Sequence, residues 1–145
     1  MIHQKDLRLG DLVQITVDLP EYKQGDIFVV IDISEIYIGL RSPSESDCRQ
    51  DLYTIRDHIE GIRLTPDILE KNGWNKKHDP TSSCDIYSKG KDAFYVSLEQ
   101  SIYKKQEGFE FVVADSTYRF GNKLQYVHEL QHILWALGED ANLKI

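Results

Sequence analysis

The chain predicts an α+β fold: a small N-terminal β-barrel, a short helix, and an antiparallel β-meander packed by a C-terminal helix. Three observations carry this expectation. Short apolar or alternating runs recur between residues 7 and 64, with turn residues between them. Thr65-Pro66-Asp67 then supplies helix-start chemistry. From Leu124 the apolar period changes from two to three and four. The predicted boundary follows Leu64, giving a barrel subdomain over 1–64 and a meander-plus-helix subdomain over 65–145.

In the first part, Leu7-Arg8-Leu9-Gly10-Asp11-Leu12-Val13-Gln14-Ile15 sets a glycine turn before an alternating strand. Ile27 to Ile33 is nearly continuous in β-branched and aromatic residues, the pattern of a strand buried on both faces or at a barrel wall. Ile36, Ile38 and Leu40 alternate with Tyr37, Gly39 and Arg41, and only Ser34 and Glu35 separate this strand from the one before, which predicts a tight hairpin. Ser42-Pro43-Ser44-Glu45-Ser46-Asp47 is turn chemistry. Pairing resumes at Leu52-Tyr53-Thr54-Ile55 and at Gly61-Ile62-Arg63-Leu64. Four or five short antiparallel strands of this kind fit an SH3-like barrel or a curled meander.

Thr65 can cap a helix, Pro66 loses no hydrogen bond at its first position, and Asp67 suits the positive end of its dipole. Gly73 after Asn72 stops it. Lys76 to Ser83 reads as polar and irregular. Strands are expected at Asp85–Ser88, Phe94–Leu98 and Phe109–Val113, with Tyr118-Arg119-Phe120 adding a fourth. Leu124, Val127, Leu130, Leu134 and Leu137 then form a helical stripe widened by Tyr126 and Ile133, and Gly138 ends it.

A length of 145 residues suits one ordinary domain or two small ones sharing a core. Nothing after Met1 reads as a signal peptide, and no run approaches the roughly 18 apolar residues that span a bilayer. A cytoplasmic protein without membrane contact is the expectation. Cys48 and Cys84 stand apart in polar contexts and are expected to be reduced thiols. The net charge of −7, with basic clusters as short as Lys76-Lys77 and Lys104-Lys105, disfavours nucleic acid as a partner. An acidic surface could instead meet a basic site on a protein.

One stretch carries a chemical signature. His128-Glu129-Leu130-Gln131-His132 spells H-E-x-x-H, in which two helical histidines at i and i+4 ligate one metal and the glutamate serves as base toward its water. A helical wheel centres the apolar stripe on Leu130 and Leu134 and turns His128 and His132 away from it, towards solvent, with Glu129 beside them. A third ligand lacks a spacing rule. Glu139 and Asp140 lie just past the helix end, and His58, His78, Cys84 and Asp85 lie upstream. A nucleophile pair of Cys84 with His78 or His128 has no local signature either. Tyr95, Tyr103 and Tyr118 could line a partner surface.

Three segments carry a resemblance: the opening Leu7–Val13 strand, Leu64-Thr65-Pro66-Asp67-Ile68-Leu69-Glu70-Lys71-Asn72-Gly73-Trp74, and Tyr126-Val127-His128-Glu129-Leu130-Gln131-His132 with Ala136-Leu137. Together they resemble a family of small uncharacterised proteins encoded by phages and prophages of gut anaerobes. In that family the positions of Glu129 and His132 are often amides, which implies a packing or contact role for the closing helix. The resemblance implies a phage or mobile-element origin and no established activity. The resulting expectation is a non-catalytic, cofactor-free binding protein of the host cytoplasm. It would inhibit a host or defence protein through an acidic surface. Two alternatives stay open. One is a zinc-dependent hydrolase with His128 and His132 as ligands and Glu129 as base. The other is a structural virion component that self-assembles as a homo-oligomer.

Overall fold

The computed structural model describes residues 6–44, 50–89, 96–103, 108–113 and 119–145. The fold is α+β, with two antiparallel five-stranded sheets and few helices. It divides into two compact units, Met1–Ile62 and Arg63–Ile145. Among the described residues no helix is long and apolar enough to cross a membrane.

The first unit contains β1 (Leu12–Ile15), β2 (Ile27–Ile33), β3 (Ile38–Arg41), β4 (Leu52–Thr54), a 3-10 turn (Arg56–His58) and β5 (Ile59–Gly61). Its sheet order is β4-β3-β2-β1-β5. Strand β1 opens from a turn fixed by a buried acid: Asp11 is fully buried, and its Oδ2 accepts from the Arg8 main-chain N at 2.7 Å. The inward residues of the alternating strands, among them Val13, Ile15, Phe28, Val30, Ile38, Leu40 and Ile59, make one apolar cluster. The predicted barrel is not closed by hydrogen bonds among the described residues; the sheet ends at β4 and β5. The reason lies in the connection. The three-residue strands β4 and β5 are joined by the 3-10 turn, which passes the chain from one edge to the other instead of pairing the two.

The hairpin between β2 and β3 is wider than its sequence implies. Ser34 to Tyr37 form the turn, with Ser34 N donating to Tyr37 O at 3.0 Å and Ser34 Oγ accepting from Tyr37 N at 3.0 Å. Ile36 is therefore a turn residue, 78% exposed. A bulge at Ile31 shifts the register between Val30↔Leu40 and Asp32↔Gly39. A Cβ on Gly39 would meet Asp32 Cβ at 2.8 Å and Tyr53 Cε1 at 3.0 Å. The missing side chain lets the Tyr53 ring lie down on the sheet.

The second unit holds α1 (Pro66–Lys71), β6 (Asn75–Asp79), β7 (Cys84–Lys89), β8 (Val96–Ser101), β9 (Phe109–Val113), β10 (Arg119–Leu124) and α2 (Val127–Leu137). Each strand pairs with the next, in the order β10-β9-β8-β7-β6. Of the segment read as irregular, residues 80–83 form a turn, whereas its first four residues belong to strand β6, Asn-Lys-Lys-His-Asp, almost wholly exposed at the sheet edge. Pairing with β7 makes it a strand, and its lysines blunt an edge that could otherwise recruit another chain. Phe94, Tyr95 and Tyr118 lie outside the described residues.

Thr65 caps α1 through Oγ1, which accepts from Ile68 N at 3.3 Å, and Pro66 sits in the first turn, as its chemistry predicts. Tyr87, Leu98, Phe109 and Phe111 line the buried face of the sheet, with Tyr87 and Phe109 edge to face at 5.7 Å. Val127, Leu130 and Leu134 of α2 are buried too, and Gly138 closes the helix at φ 73°. Beyond it the chain runs back to α1. Asn72 Nδ2 donates to Lys144 O at 2.8 Å, and Lys144 N donates to Asn72 Oδ1 at 2.7 Å. Ala141 and Leu143 are buried on the way.

Two predictions follow from this geometry. Gly108 has φ 90°, and a Cβ there would press into the main-chain carbonyl of Leu124. Gly108→Ala should lower stability by about 3 kcal/mol, read as a shifted urea midpoint, through left-handed strain plus the clash. In the turn after β6, the Asp79 carboxylate accepts from Thr81 N, Thr81 Oγ1 and Ser82 Oγ at 2.9, 2.6 and 2.7 Å. These bonds, led by that from Ser82, lower its pKa from 3.8 to about 2. A depressed folded-state pKa stabilises above 3.8 and is lost as pH falls through about 2. Asp79→Asn should flatten acid unfolding over that window, and an unchanged curve would refute the assignment.

Candidate functional site

The H-E-x-x-H residues sit on α2, where 3.6 residues per turn put His128, His132 and Trp135 on one side. Their rings form a continuous series. Arg63 Cζ lies 4.8 Å from the Tyr126 ring centroid, Tyr126 stacks on His128 at 5.6 Å, His128 meets His132 edge-on at 5.8 Å, and His132 stacks on Trp135 at 5.8 Å. The two histidines are neighbours, as the spacing predicts.

Their exposure corrects the helical wheel. His128 is 4% exposed and Gln131 2%, so the helix is covered around these two residues. A wheel assumes that everything off the apolar stripe meets water. Here the chain after Gly138 folds back, and Gln131 Nε2 donates to Ala141 O at 3.2 Å. His132 is half-buried and Trp135 is 38% exposed, so the ring series runs from interior to surface.

Glu129 has a structural task. Its Oε2 accepts from the main-chain N–H of Gln125 at 2.6 Å and of Tyr126 at 2.9 Å. The Tyr126 bond satisfies a donor that the start of a helix leaves without an intrahelical partner, and the Gln125 bond engages the amide just before the cap. A carboxylate so engaged at the positive end of α2 has the geometry of a helix cap. Among the described residues no group of three His, Cys, Asp or Glu side chains is arranged to hold a metal ion.

The other ligand candidates have different neighbours. His58 Nδ1 lies 2.9 Å from Thr54 Oγ1 in the first unit. His78 Nδ1 lies 3.1 Å from Asp85 Oδ1, and Lys76 Nζ 3.1 Å from Asp85 Oδ2. Burial pushes the Asp85 carboxyl up, but the bonds from Lys76 and His78 outweigh it and hold the pKa below the usual carboxylate value. Lys76 is raised in turn, chiefly by its bond to Asp85. Cys84 is a free thiol that donates to Ser82 O at 3.4 Å. The thiol and the His78 Nδ1 atom thus have separate partners. Glu139 and Asp140 are exposed past the end of α2, and Tyr103 is 81% exposed. Cys48 lies outside the described residues.

A second surface, which the sequence does not single out, lies in the first unit. Leu19, Pro20, Leu52, Tyr53, Ile55 and His58 help to line a concavity of about 510 Å³. Ile55 also borders a smaller one of about 110 Å³ with Ile36 and Tyr37. Tyr37 and Tyr53 pack edge to face at 5.6 Å. Ile36, Tyr37, Tyr53 and Ile55 are 78, 42, 56 and 46% exposed. Strand alternation predicts exposure of some of them singly, but their convergence from a turn, an edge strand and the approach to a 3-10 turn requires the fold.

Comparison with protein families, with curated proteins and with solved structures finds no match to the chain. Function therefore rests on residues and geometry. If Glu129 is a cap, Glu129→Ala should cost about 1 kcal/mol of stability and accelerate amide exchange at Gln125 and Tyr126. Unaltered exchange at those two amides would sink the capping role.

Proposed function

We propose that the protein is a non-catalytic binding protein of phage or mobile-element origin that inhibits a host protein, such as a defence component, through an acidic surface. The observation that carries this reading is the uneven distribution of charge. Residues 1–62 hold 12 acidic and six basic side chains, a net charge of −6; residues 63–145 hold 12 acidic and 11 basic, a net charge of −1. A uniform charge for solubility would not be concentrated in the shorter part. A single-sign field over a small unit speeds and orients encounter with a basic partner.

Two further points support the reading. The strand order β4-β3-β2-β1-β5, with a 3-10 turn before the last strand, is compatible with an SH3-like arrangement, and that analogy of fold supports a binding role. The Oε2 atom of Glu129 serves as a helix cap, a structural role that accounts for this glutamate without catalysis. The resemblance to phage and prophage proteins supplies the biological setting.

Affinity capture from a bacterial host lysate at low salt should retain a basic protein that high salt releases. Recovery of no partner at low salt would count against the proposal. Metal analysis of the purified protein separates the competing reading: stoichiometric zinc that is lost in His132→Ala would replace a binding role with a zinc site. Light scattering showing stable higher assemblies would favour a virion component.

A further inference from the structure

We infer that the apolar groove of the first unit takes an extended segment of a partner protein, rich in aliphatic and basic side chains. This rests on the binding reading above and names its surface. The two concavities that share Ile55 form a strip from Pro20 and Tyr53 to Ile36 and Tyr37. The larger, about 510 Å³, is of the size that accepts apolar side chains or a ligand. Their succession suits side chains carried in series along a strand-like backbone better than one compact molecule.

Chemistry narrows the occupant. The buried polar groups beneath the strip already have protein partners: Tyr22 Oη donates to Gln50 O at 2.6 Å, and Thr54 Oγ1 pairs with His58 Nδ1. The larger concavity, whose exposed lining is mostly apolar, therefore selects apolar contact. Acids lie on its borders. Glu21 lines the larger concavity, and Glu35 and Asp57 line the smaller, with Arg56 the one lysine or arginine lining either among the described residues. With the net charge of −6 on this unit, that border favours lysine and arginine in the incoming segment.

The anchors are held in place before binding. Tyr53 rests where Gly39 has no side chain and against the Tyr37 ring, so its ordering costs little when a partner arrives. Exposed tyrosines on a fixed scaffold are the residues that dominate interface energetics.

The test uses the full chain and an array of short peptides built from Leu, Val, Pro, Lys and Arg, beside a matched array in which Glu replaces the basic residues. Members of the basic array should bind, with amide shifts of the bound protein centred on Tyr53 and Ile55. Tyr53→Ser with Ile55→Ser should weaken them about tenfold or more. Because Ile36 is 78% exposed, Ile36→Ser provides a second variant that leaves the core intact, and it should weaken binding several-fold, by about the effect of a peripheral interface contact. Glu35→Lys with Asp57→Lys should weaken binding at low salt and have no effect at high salt. Circular dichroism and the urea midpoint establish that each variant is folded.

Absence of binding by the basic array, equal binding by the acidic array, or binding unchanged by the groove variants would each overturn the inference. A host partner captured equally well by the groove variants would also overturn it while leaving the binding function standing. Peptide binding through the groove, with no host protein captured, would do the reverse.

Discussion

The closure of the Glu129 carboxylate on the main-chain N–H groups of Gln125 and Tyr126 determines how the second unit ends and how its most suggestive motif is to be understood. The chain leaves β10 at Leu124 and enters α2 at Val127, so those two amides lie between a sheet that can no longer pair them and a helix that cannot yet do so. Glu129, three residues beyond the N-cap Tyr126, is the side chain with the reach to satisfy them. Once α2 starts there, Leu130 and Leu134 are committed to the core, and Tyr126, His128, His132 and Trp135 to one adjoining series of rings. The glutamate of the H-E-x-x-H motif is therefore also the cap of the helix.

The return of the chain after Gly138 completes this arrangement. It covers the side of α2 that carries Gln131, and its exchange of hydrogen bonds between Asn72 and Lys144 ties the last residues to α1. A histidine inside such packing is a ring among rings, and its burial makes access by water and substrate harder. In the first unit the priorities are reversed. Its core is an ordinary apolar cluster, and the unusual feature is outside, where large side chains stay exposed beside a border of carboxylates. Keeping such groups in water is unfavourable unless another molecule covers them, which is why the groove rather than the helix carries the functional proposal.

Legibility in the sequence varied with the range of the interaction involved. Thr65-Pro66-Asp67 announced α1, and Gly138 announced the end of α2, because caps are settled within a few residues. The α+β class and most of the strands were legible from the apolar period. Strand β6 was not, since five polar residues have no such period and become a strand only by pairing with β7. The Ser34–Tyr37 turn was drawn too tight, because Ile36 and Tyr37 look like strand residues until Ser34 closes a wider turn around them.

For the candidate sites the division is sharper. The sequence by itself determined that His128 and His132 adjoin, that the chain is acidic, and that its acids outnumber its bases two to one in residues 1–62. Helical spacing and residue counts suffice for these. Only the tertiary structure decided that His128 is buried and that Ile36, Tyr37, Tyr53 and Ile55 converge on one strip. Each of those depends on segments far apart in the chain meeting in space, and no local pattern encodes such a meeting.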